Sequence, residues 1–563
     1  MSDQVVSEQV LSEQRVISKV LSSGNGSSRA VLLVLSLALL ALLSACGYGN
    51  NNYTIKGVKC PGATGSFNNA TLGPSGTQWV YSLSGQLFAT VSGVPQPFVE
   101  GGFFTVDGNG GITGGNDDLI GPILNNGSTY TITNNGTGTI NLNFGGGLGT
   151  ISFAVSVTAT SPAALYMIDA DNQGFANSAG VAYQQNNVPA TPNGTFVFRT
   201  HVTSQGITIA GSTATVGVMS VSNGTITGLN DDGLQGGSGA GATKGTLNIA
   251  QPHAFTSTGT GVGTVAFTDT NGISGNFNYY MVDANTILLD NSVNGNIGTG
   301  IGRMEMQSST TLAVNSGFAF GSHGDSNGTV SALGPGSGGI NAVGAFTVDA
   351  SGAVTGGSLD FVQDGTTGTG ISITGGSYVA DATGDGRYTI TLNGSNATTI
   401  LTSLYTVSAA RGFFLVNDLT GTTVQDGTAD QQTSTSNLSG QFAFVMGGTE
   451  LVVPTPNFLD RTGTITADGN GNLGWAEVAN SNGVPNAPGC QAGTYAFTSG
   501  SNGRFIGNVG GAIQADLVFY AIAPGKAYIL QPDSNVQISG GMSQQGAGVV
   551  DPPGVFAEKV HSH

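Results

Sequence analysis

The feature that most constrains the fold of this chain is a domain-sized repeat that occurs four times. A small residue, a Gly and alternating aromatic residues recur with a period of roughly 110 to 123 residues, the length of a small domain. The four copies of this phrase are Leu83–Phe88, Pro192–Phe198, Asn315–Phe320 and Leu438–Phe444. The units close on a second phrase that contains Gln, at Tyr183–Gln185, Met306–Gln307, Asp430–Gln432 and Ser543–Gln545. We therefore expect four related domains in a row.

Each repeat contains about eight short runs in which apolar and polar residues alternate between turn signals. In the first repeat these runs lie near residues 85–92, 98–106, 111–117, 128–133, 138–144, 150–158, 164–169 and 178–185. A period of two residues with no helical period between the runs predicts an all-β domain of antiparallel strands. Because closing a sheet removes its exposed edges, we expect small up-and-down barrels similar to those of lipocalins and avidins. Two-sheet β-sandwiches are the alternative.

The charge of the chain excludes one class of partner. It has 14 Lys and Arg against 32 Asp and Glu, a net charge of −18, and the basic residues form no cluster. Binding to a phosphate backbone needs concentrated positive charge, so we expect no nucleic acid among the partners. Glycine accounts for 93 of the 563 residues and charged residues for only 8%. A surface made mostly of small and neutral polar residues suits short strands joined by tight turns.

The amino-terminal region reads as an export signal. An uncharged apolar run from Ala30 to Ala45 follows Arg29 and is too short for an ordinary membrane-spanning helix, which needs roughly 20 residues. The run ends in Leu43-Ser44-Ala45-Cys46, which resembles the lipobox of bacterial lipoproteins. The resemblance implies that the signal is cleaved before Cys46 and that this residue is acylated. Several acyl chains make a stable anchor, and Gly47 in place of Asp favours the outer membrane on the same resemblance.

These observations give a map of the chain. The predicted segments are a signal peptide with a long amino-terminal region at 1–45, a lipidated N-terminus and spacer at 46–82, β repeats at 83–190, 191–313, 314–436 and 437–547, and a C-terminal tail at 548–563. Once Cys46 is lipidated, Cys60 and Cys490 remain. An even pair in an exported protein suggests a disulfide, with two separate thiols as the alternative. The disulfide would require the segment before the first repeat to meet the fourth repeat in a compact or ring-like arrangement.

Two patterns of acidic residues each have a functional and a structural interpretation. The Asp-Gly-Asn-Gly phrases at 107–110 and 468–471 are similar to the first half of a calcium loop, but they lie between alternating runs where a hairpin turn is expected. The doublets Asp117-Asp118 and Asp231-Asp232 are interpreted as solvated loop charge, with a glycan or cation contact as the alternative. Adjacent strand residues point to opposite faces, so neither doublet forms a catalytic pair by itself.

No constellation of catalytic or metal-binding residues is recognisable. Among the five histidines, His201, His253 and His323 have no metal-ligand spacing with another His, Cys or Glu, and the pair His561 and His563 is interpreted as a disordered tail. We therefore predict no catalytic residue, no metal site, no cofactor and no enzymatic activity.

The leading functional hypothesis is a non-enzymatic lipoprotein of the cell surface or outer membrane with a structural or adhesive role. Its partners would be the membrane, through the lipid anchor, and an extracellular polymer or glycan. The alternative is a barrel protein that binds a small ligand or glycan, for which Trp79, Trp475, Tyr279 and Tyr280 are candidate stacking residues. A hydrolase is the least favoured alternative. The repeats also resemble those of uncharacterised Gly-rich proteins exported by environmental bacteria, which brings no known activity.

Overall fold

The structure is a computed structural model, and all of its described residues belong to the unit that spans Tyr53–His563. It describes residues 54–545 with the exception of 56–57, 60–66, 88–95, 146–148, 161–162, 172–175, 204–211, 238–240, 292–298, 327–328, 331–333, 336–337, 418–421, 436–437, 451–456, 482–483, 487–490, 499–501, 510–514 and 534–535. The predicted lipidation site, Cys46, and the predicted disulfide partners, Cys60 and Cys490, lie outside the described residues. Those assignments remain predictions.

The first barrel is an eight-stranded antiparallel meander that closes on itself. It is preceded by a short hairpin of β1 (Thr54–Ile55) and β2 (Val58–Lys59) and by a 3₁₀ turn at Asn69–Leu72. Its strands are β3 (Thr77–Leu87), β4 (Gln96–Val106), β5 (Ile112–Asp117), β6 (Gly121–Ile132), β7 (Thr137–Gly145), β8 (Gly149–Thr160), β9 (Ala163–Asp169) and β10 (Ala176–Gln184). Each strand pairs with the next, and β10 pairs with β3 to close the barrel.

The second barrel repeats this order with one added strand. Its strands are β11 (Gly194–Thr203), β12 (Thr213–Ser222), β13 (Thr225–Gln235), β14 (Thr243–Thr246), β15 (Ala254–Gly259), β16 (Val262–Thr268), β17 (Ser274–Met281), β18 (Thr286–Asn291) and β19 (Thr299–Met306). Strand β14 pairs only with β13, and the pairing of β12 with β13 closes a barrel of eight strands.

The third barrel has eight strands and a small hairpin inserted after the first. Its strands are β20 (Ser316–Ser326), the hairpin strands β21 (Thr329–Val330) and β22 (Gly334–Pro335), then β23 (Gly338–Val348), β24 (Ala353–Gln363), β25 (Thr366–Ala380), β26 (Arg387–Gly394), β27 (Thr399–Ser408), β28 (Arg411–Val416) and β29 (Thr423–Gln431). Strand β20 pairs with both β23 and β29, so the sheet is closed.

The fourth barrel again carries one added strand, β33, which pairs only with β32. Its strands are β30 (Ser439–Glu450), β31 (Asn457–Asp468), β32 (Asn472–Ser481), β33 (Val484–Asn486), β34 (Gln491–Phe497), β35 (Arg504–Val509), β36 (Ala515–Ala523), β37 (Lys526–Asp533) and β38 (Val536–Gln544). The prediction of four up-and-down antiparallel barrels is confirmed, and the β-sandwich alternative is wrong.

The first barrel begins earlier than the aromatic phrase at Leu83–Phe88 suggested. Register places Trp79 and Tyr81 in the positions held by Phe442 and Phe444 of the fourth barrel, because Trp79 pairs with Gln184 just as Phe442 pairs with Gln544. Both side chains are buried in the first barrel. Trp79 and Tyr81 replace the two Phe residues found in the fourth repeat. The Ser84-Gly85 pair, which lies further along β3, was therefore matched to Ser439-Gly440 of the fourth repeat in their place.

The Asp-Gly-Asn-Gly phrases form hairpin turns. The Asp107 carboxylate accepts hydrogen bonds from the backbone N–H groups of Asn109, at 2.7 Å, and Gly111, at 2.8 Å, and these bonds hold the pKa of Asp107 below its usual range. Gly108 has a φ of 82°, a conformation that favours glycine. Each carboxylate therefore stabilises its own turn, as the structural interpretation predicted.

The four barrels pack against one another as a ring. The first two or three strands of each barrel contact the last three strands of the next: β3 and β4 lie against β17–β19, β11 and β12 against β27–β29, and β20, β23 and β24 against β36–β38. Strands β30 and β31 of the fourth barrel lie against β8–β10 of the first, which closes the ring. The same pair of surfaces is used at all four junctions, as in a cyclic oligomer with heterologous interfaces.

The Gln residues of the repeat-closing phrase link each barrel to the next. The side-chain amide of Gln185 donates to the backbone carbonyl of Met281, at 2.6 Å, on the sixth strand of the second barrel. The equivalent bonds run from Gln307 to Thr406 at 2.9 Å, from Gln432 to Ala521 at 2.7 Å and from Gln545 to Val157 at 3.1 Å. The last of these joins the fourth barrel to the first, so the closing phrase marks the junctions of the ring.

The two acidic doublets lie inside the barrels and at the junctions between them. They are not solvated loop charge, so the interpretation of the doublets as solvated loop charge is wrong. Asp117 and Asp231 are buried in the first and second barrels, and their neighbours Asp118 and Asp232 face the junction with the following barrel. The two residues of a doublet do point to opposite faces, but the outer face of the barrel is also buried because another barrel covers it.

A buried ion pair repeats at two of these junctions. Asp232 accepts hydrogen bonds from Arg387 and from the Tyr405 hydroxyl, and the equivalent residue Asp360 accepts them from Arg504 and Tyr520. At the first junction the equivalent residue Asp118 faces Tyr280 and Asp290 instead, and Val262 takes the place of the Arg. The junctions thus share one architecture and differ in charge.

Candidate functional site

The third barrel encloses a cavity of about 530 Å³. Its wall is made by inward side chains from seven of the eight strands, chiefly Phe320, Phe346, Leu359, Phe361, Ile390, Leu392, Leu404 and Phe414. Ligand sites in proteins have volumes of roughly 300 to 1,000 Å³ and walls that are largely apolar. The cavity therefore has the size and lining of a site for a small apolar molecule.

One position on the last strand helps to explain why this barrel is hollow. Ala429 lies opposite Phe320 in the register of β20 and β29. In the second and fourth barrels the same position is occupied by Met304, opposite Phe198, and Met542, opposite Phe444. Both Met side chains are buried in the cores of their barrels. Where two other barrels place a long flexible side chain, the third barrel has a methyl group and leaves space.

The interior of the third barrel also differs in polarity from the interiors of the other three. A Gly recurs at one position of the second strand in all four barrels. The residue opposite it on the third strand is Asp117 in the first barrel, Asp231 in the second and Glu477 in the fourth, and all three carboxyl groups are buried. In the third barrel Leu359 holds this position, opposite Gly344. A cavity lined by Leu359 in place of a carboxyl group favours an apolar occupant, because a buried polar group that is not hydrogen-bonded costs free energy whereas an apolar side chain does not.

A few neutral polar groups interrupt the apolar wall. Gln425 donates a hydrogen bond from its side-chain nitrogen to the Ser322 hydroxyl, at 2.7 Å, and the Thr402 hydroxyl faces the backbone carbonyl of Ile390 at 3.5 Å. Ser322, Thr402 and Gln425 are all buried. They give the cavity donors and acceptors without a formal charge, which suits a ligand that is apolar along most of its length and carries one neutral polar group.

The cavity reaches the surface at one end of the barrel. Its lining passes from buried residues such as Phe346 to half-buried Ile400 and Asn417 and then to exposed Thr398 and Thr399 at the turn between β26 and β27. A ligand therefore has a route between solvent and the interior along this rim.

The aromatic residues that sequence analysis singled out for sugar stacking are not at such a mouth. Trp79, Trp475 and Tyr279 lie in the cores of the first, fourth and second barrels, and Tyr280 lies in the junction between the first two barrels. All four are buried. The Trp79 ring nitrogen donates to the Leu72 carbonyl and that of Trp475 to Glu477, so their polar atoms are already bonded within the protein.

The first barrel holds a pair of interior carboxyl groups beside a tyrosine. The Tyr81 hydroxyl donates to Asp117 at 2.7 Å. Burial, with added repulsion from Asp117 and Asp169, raises the pKa of Glu100 well above its usual range, and burial raises the pKa of Asp117 although the bond from Tyr81 opposes this. Perturbed carboxyl groups of this kind occur in catalytic and in purely structural settings. Both groups are closed off from solvent in the present structure.

A second polar cluster lies between the second and third barrels. The His201 ring on β11 contacts Asp426 on β29 through Nδ1, at 2.8 Å, and Asp325 on β20 through Nε2, at 3.3 Å. Arg199 contacts the other oxygen of Asp426 at 3.3 Å, and the ring centroid of His323 lies 5.0 Å from that of His201. The two barrels therefore share a compact group of charged and ionisable side chains.

The two histidines of this cluster are held in opposite states. Burial alone would lower the pKa of His201, but its hydrogen bonds with Asp325 and Asp426 outweigh burial and raise the pKa to about 10. Burial lowers the pKa of His323 to about 4, and the positive charges of His201 and Arg199 add to this effect. At neutral pH His201 is protonated and His323 is neutral.

Sequence reasoning missed both the cavity and this cluster. His201 and His323 occupy equivalent positions on the first strands of neighbouring barrels, so their separation in the chain corresponds to no ligand motif. The one available signal was that both histidines follow the aromatic phrase at the same distance. The cavity depends on small residues such as Ala429, which no motif distinguishes.

Comparisons with known proteins add little to this description. No protein-family model and no curated protein matches the sequence. Among solved structures, the chain is similar to a mutant of the vaccine antigen transferrin binding protein B from Haemophilus parasuis Hp5, with 11% identity, 84% of this chain and 97% of that chain covered, and a TM-score of 0.18. Intact Ap-TbpB, with its N and C lobes, is 9% identical over 68% of this chain and 83% of that chain, with a TM-score of 0.17. TM-scores this low support no assignment of fold or function, so the fold is assigned from the strand pairings alone.

Within the described residues no helix has the length and hydropathy needed to cross a membrane.

Proposed function

We propose that this chain is an exported, lipid-anchored protein that binds a small apolar molecule in its third barrel. The cavity carries this proposal: it has the volume of a ligand site, an apolar wall, neutral polar groups at Ser322 and Gln425, and an opening at the rim. The other three barrels then complete the ring in which the binding barrel is held. Anchoring through Cys46 rests on the resemblance of residues 43–46 to a lipobox.

A fluorescent probe tests ligand binding directly. N-phenyl-1-naphthylamine is dark in water and emits in an apolar site, so titration of the purified chain with this probe should give saturable fluorescence with one site per chain. The Ala429→Met variant places in the third barrel the residue that the second and fourth barrels already carry, and it should reduce the affinity for the probe at least tenfold while the fold persists.

The matched control for this variant is Ala250→Met, which adds the same side chain at an exposed position. It should bind the probe as the parent protein does. Probe binding that is absent from the parent, or that is equal in the parent and in a folded Ala429→Met variant, would contradict the proposal.

A structural or adhesive role at the cell surface is the second candidate. The observation that favours it is the closed ring, in which the same Gln contact recurs at all four junctions and joins the four domains. A screen of the purified chain against extracellular polymers and glycans tests this role, and binding that persists in the Ala429→Met variant would assign adhesion to a surface outside the cavity.

A further inference from the structure

The cluster between the second and third barrels has the donor set of a transition-metal site. His201 from one barrel and His323 and Asp426 from the next each offer one ligand atom, and these three atoms all lie within 4.8 Å of one another. Two imidazole nitrogens and a carboxylate oxygen are ligands typical of catalytic zinc sites, in which a water or substrate takes the fourth position. Calcium and magnesium, by contrast, take oxygen ligands.

The groups around these three residues are those that orient metal ligands. With His201 binding through Nδ1, its Nε2 faces Asp325 at 3.3 Å, the carboxylate–histidine pairing that fixes the ring orientation in many metal sites. The Oδ2 atom of Asp426 faces Arg199 at 3.3 Å, which leaves Oδ1 directed at His201. His201 and Asp426 are therefore each held in place by a second residue, Asp325 and Arg199 respectively, through the atom that does not face the other ligand.

We propose that His201, His323 and Asp426 form a binding site for a divalent first-row transition-metal ion, best matched by Zn²⁺, that clamps the second barrel to the third. An ion would take the place of the direct contact between His201 Nδ1 and Asp426 Oδ1, and His201, which is protonated at neutral pH, would release its Nδ1 proton to solvent as the ion binds. With ligand bonds of about 2.0 to 2.2 Å in a tetrahedral arrangement, two ligand atoms stand roughly 3.3 Å apart, so the present 2.8 Å contact opens by about half an ångström.

The site is specific to this junction among the four. The positions equivalent to His201 and His323 on the first strands of the first and fourth barrels are Ser84 and Gly447, neither of which is a metal ligand of this kind. Access is available from the side of Asp325, whose side chain is 24% exposed whereas that of His201 is 4% exposed. An ion bound here would be enclosed on most sides and joined to both barrels.

The test uses the full chain with His561→Ala and His563→Ala, which removes the histidine pair near the end of the sequence. After removal of metals with EDTA, calorimetric titration with Zn²⁺ should show one equivalent bound, and Co²⁺ should give the visible absorption of a tetrahedral site. Zn²⁺ should also raise the Tm of this background protein. His323→Ala should weaken Zn²⁺ binding at least tenfold and abolish the rise in Tm.

Two further variants keep the result interpretable. Asp325→Asn leaves the three ligands in place and should weaken Zn²⁺ binding by roughly 10- to 100-fold, the usual effect of removing a group that orients a ligand. His253→Ala removes a half-buried histidine of the second barrel, and this variant should bind Zn²⁺ as the background protein does. The proposal is overturned by a background protein without saturable Zn²⁺ binding, or by His323→Ala and Asp325→Asn variants that bind Zn²⁺ with unchanged affinity.

Discussion

The side-chain amide of Gln545 donates a hydrogen bond to the backbone carbonyl of Val157, 3.1 Å away, and a second one to the carbonyl of Asn135 at 3.0 Å. These bonds join the fourth barrel to the first and repeat those that Gln307 makes across the junction of the second and third barrels. The last of the four barrels in sequence therefore lies beside the first.

Because the Gln545 side-chain amide helps to close the ring, removing it should lower the stability of the protein. Gln545→Ala removes the side-chain donor to the Val157 carbonyl and one of two such donors to the Asn135 carbonyl, which the Gln441 amide still reaches at 3.1 Å. We expect the free energy of unfolding to fall by about 1 to 3 kcal/mol. Hydrogen exchange should quicken in β8, which carries one of the acceptors. Gln307→Ala should have a similar cost, whereas Gln251→Ala, at an exposed position, should be neutral. Equal effects of the Gln545 and Gln251 variants would argue against closure.

The buried ion pair at the junction of the third and fourth barrels should be far more important than a surface pair. Asp360 lies 2.6 Å from Arg504 and is fully buried, so Asp360→Ala removes the carboxylate that neutralises a buried guanidinium. We expect a loss of about 3 to 5 kcal/mol in urea unfolding. Lys244→Ala, which breaks an ion pair with Asp381 at a largely exposed Lys, should cost less than about 1 kcal/mol. A small effect at Asp360 would show that the third and fourth barrels do not depend on this contact.

The raised pKa of the buried Asp231 carboxyl group should make the free energy of unfolding depend on pH. Burial, and then repulsion from Asp269 and Asp232, raise the pKa of Asp231 to about 8 from an ordinary value near 4. The folded protein therefore holds this proton more tightly than the unfolded chain, and the stabilisation present below about pH 4 is lost as the pH rises to about 8.

The Asp231→Asn variant tests that sign, because Asn resembles the protonated carboxyl group and does not titrate. Its free energy of unfolding should exceed that of the parent at pH 8, on the order of 1 to 3 kcal/mol, and should fall less between pH 4 and pH 8. Asp516→Asn, which changes an exposed carboxylate, should follow the parent curve. Parallel curves for the parent and the Asp231 variant would contradict the assignment.

The lipobox predicts that Cys46 anchors the mature protein. In a bacterial host, Cys46→Ser should abolish incorporation of labelled palmitate and move the protein from the membrane fraction to the soluble fraction. Cys60→Ser should retain the label. Labelling that survives in the Cys46 variant would assign the modification to another residue.

The amino-acid sequence alone determined the barrels. Alternation with a period of two, the turn residues at Asp107–Gly110 and the four repeated phrases are local patterns, and local backbone preferences suffice to produce strands and hairpins from them. Even the Gln of each closing phrase was visible as a pattern, although its partner was not.

Tertiary structure alone decided where those barrels meet and what they enclose. His201 meets His323 because two barrels dock, and Asp232 becomes buried because a neighbour covers the outer face of its strand. The cavity of the third barrel arises from the sum of many side-chain volumes, of which Ala429 in place of Met304 or Met542 is one part. Packing across domains depends on contacts between residues far apart in the chain, and no local pattern records such contacts.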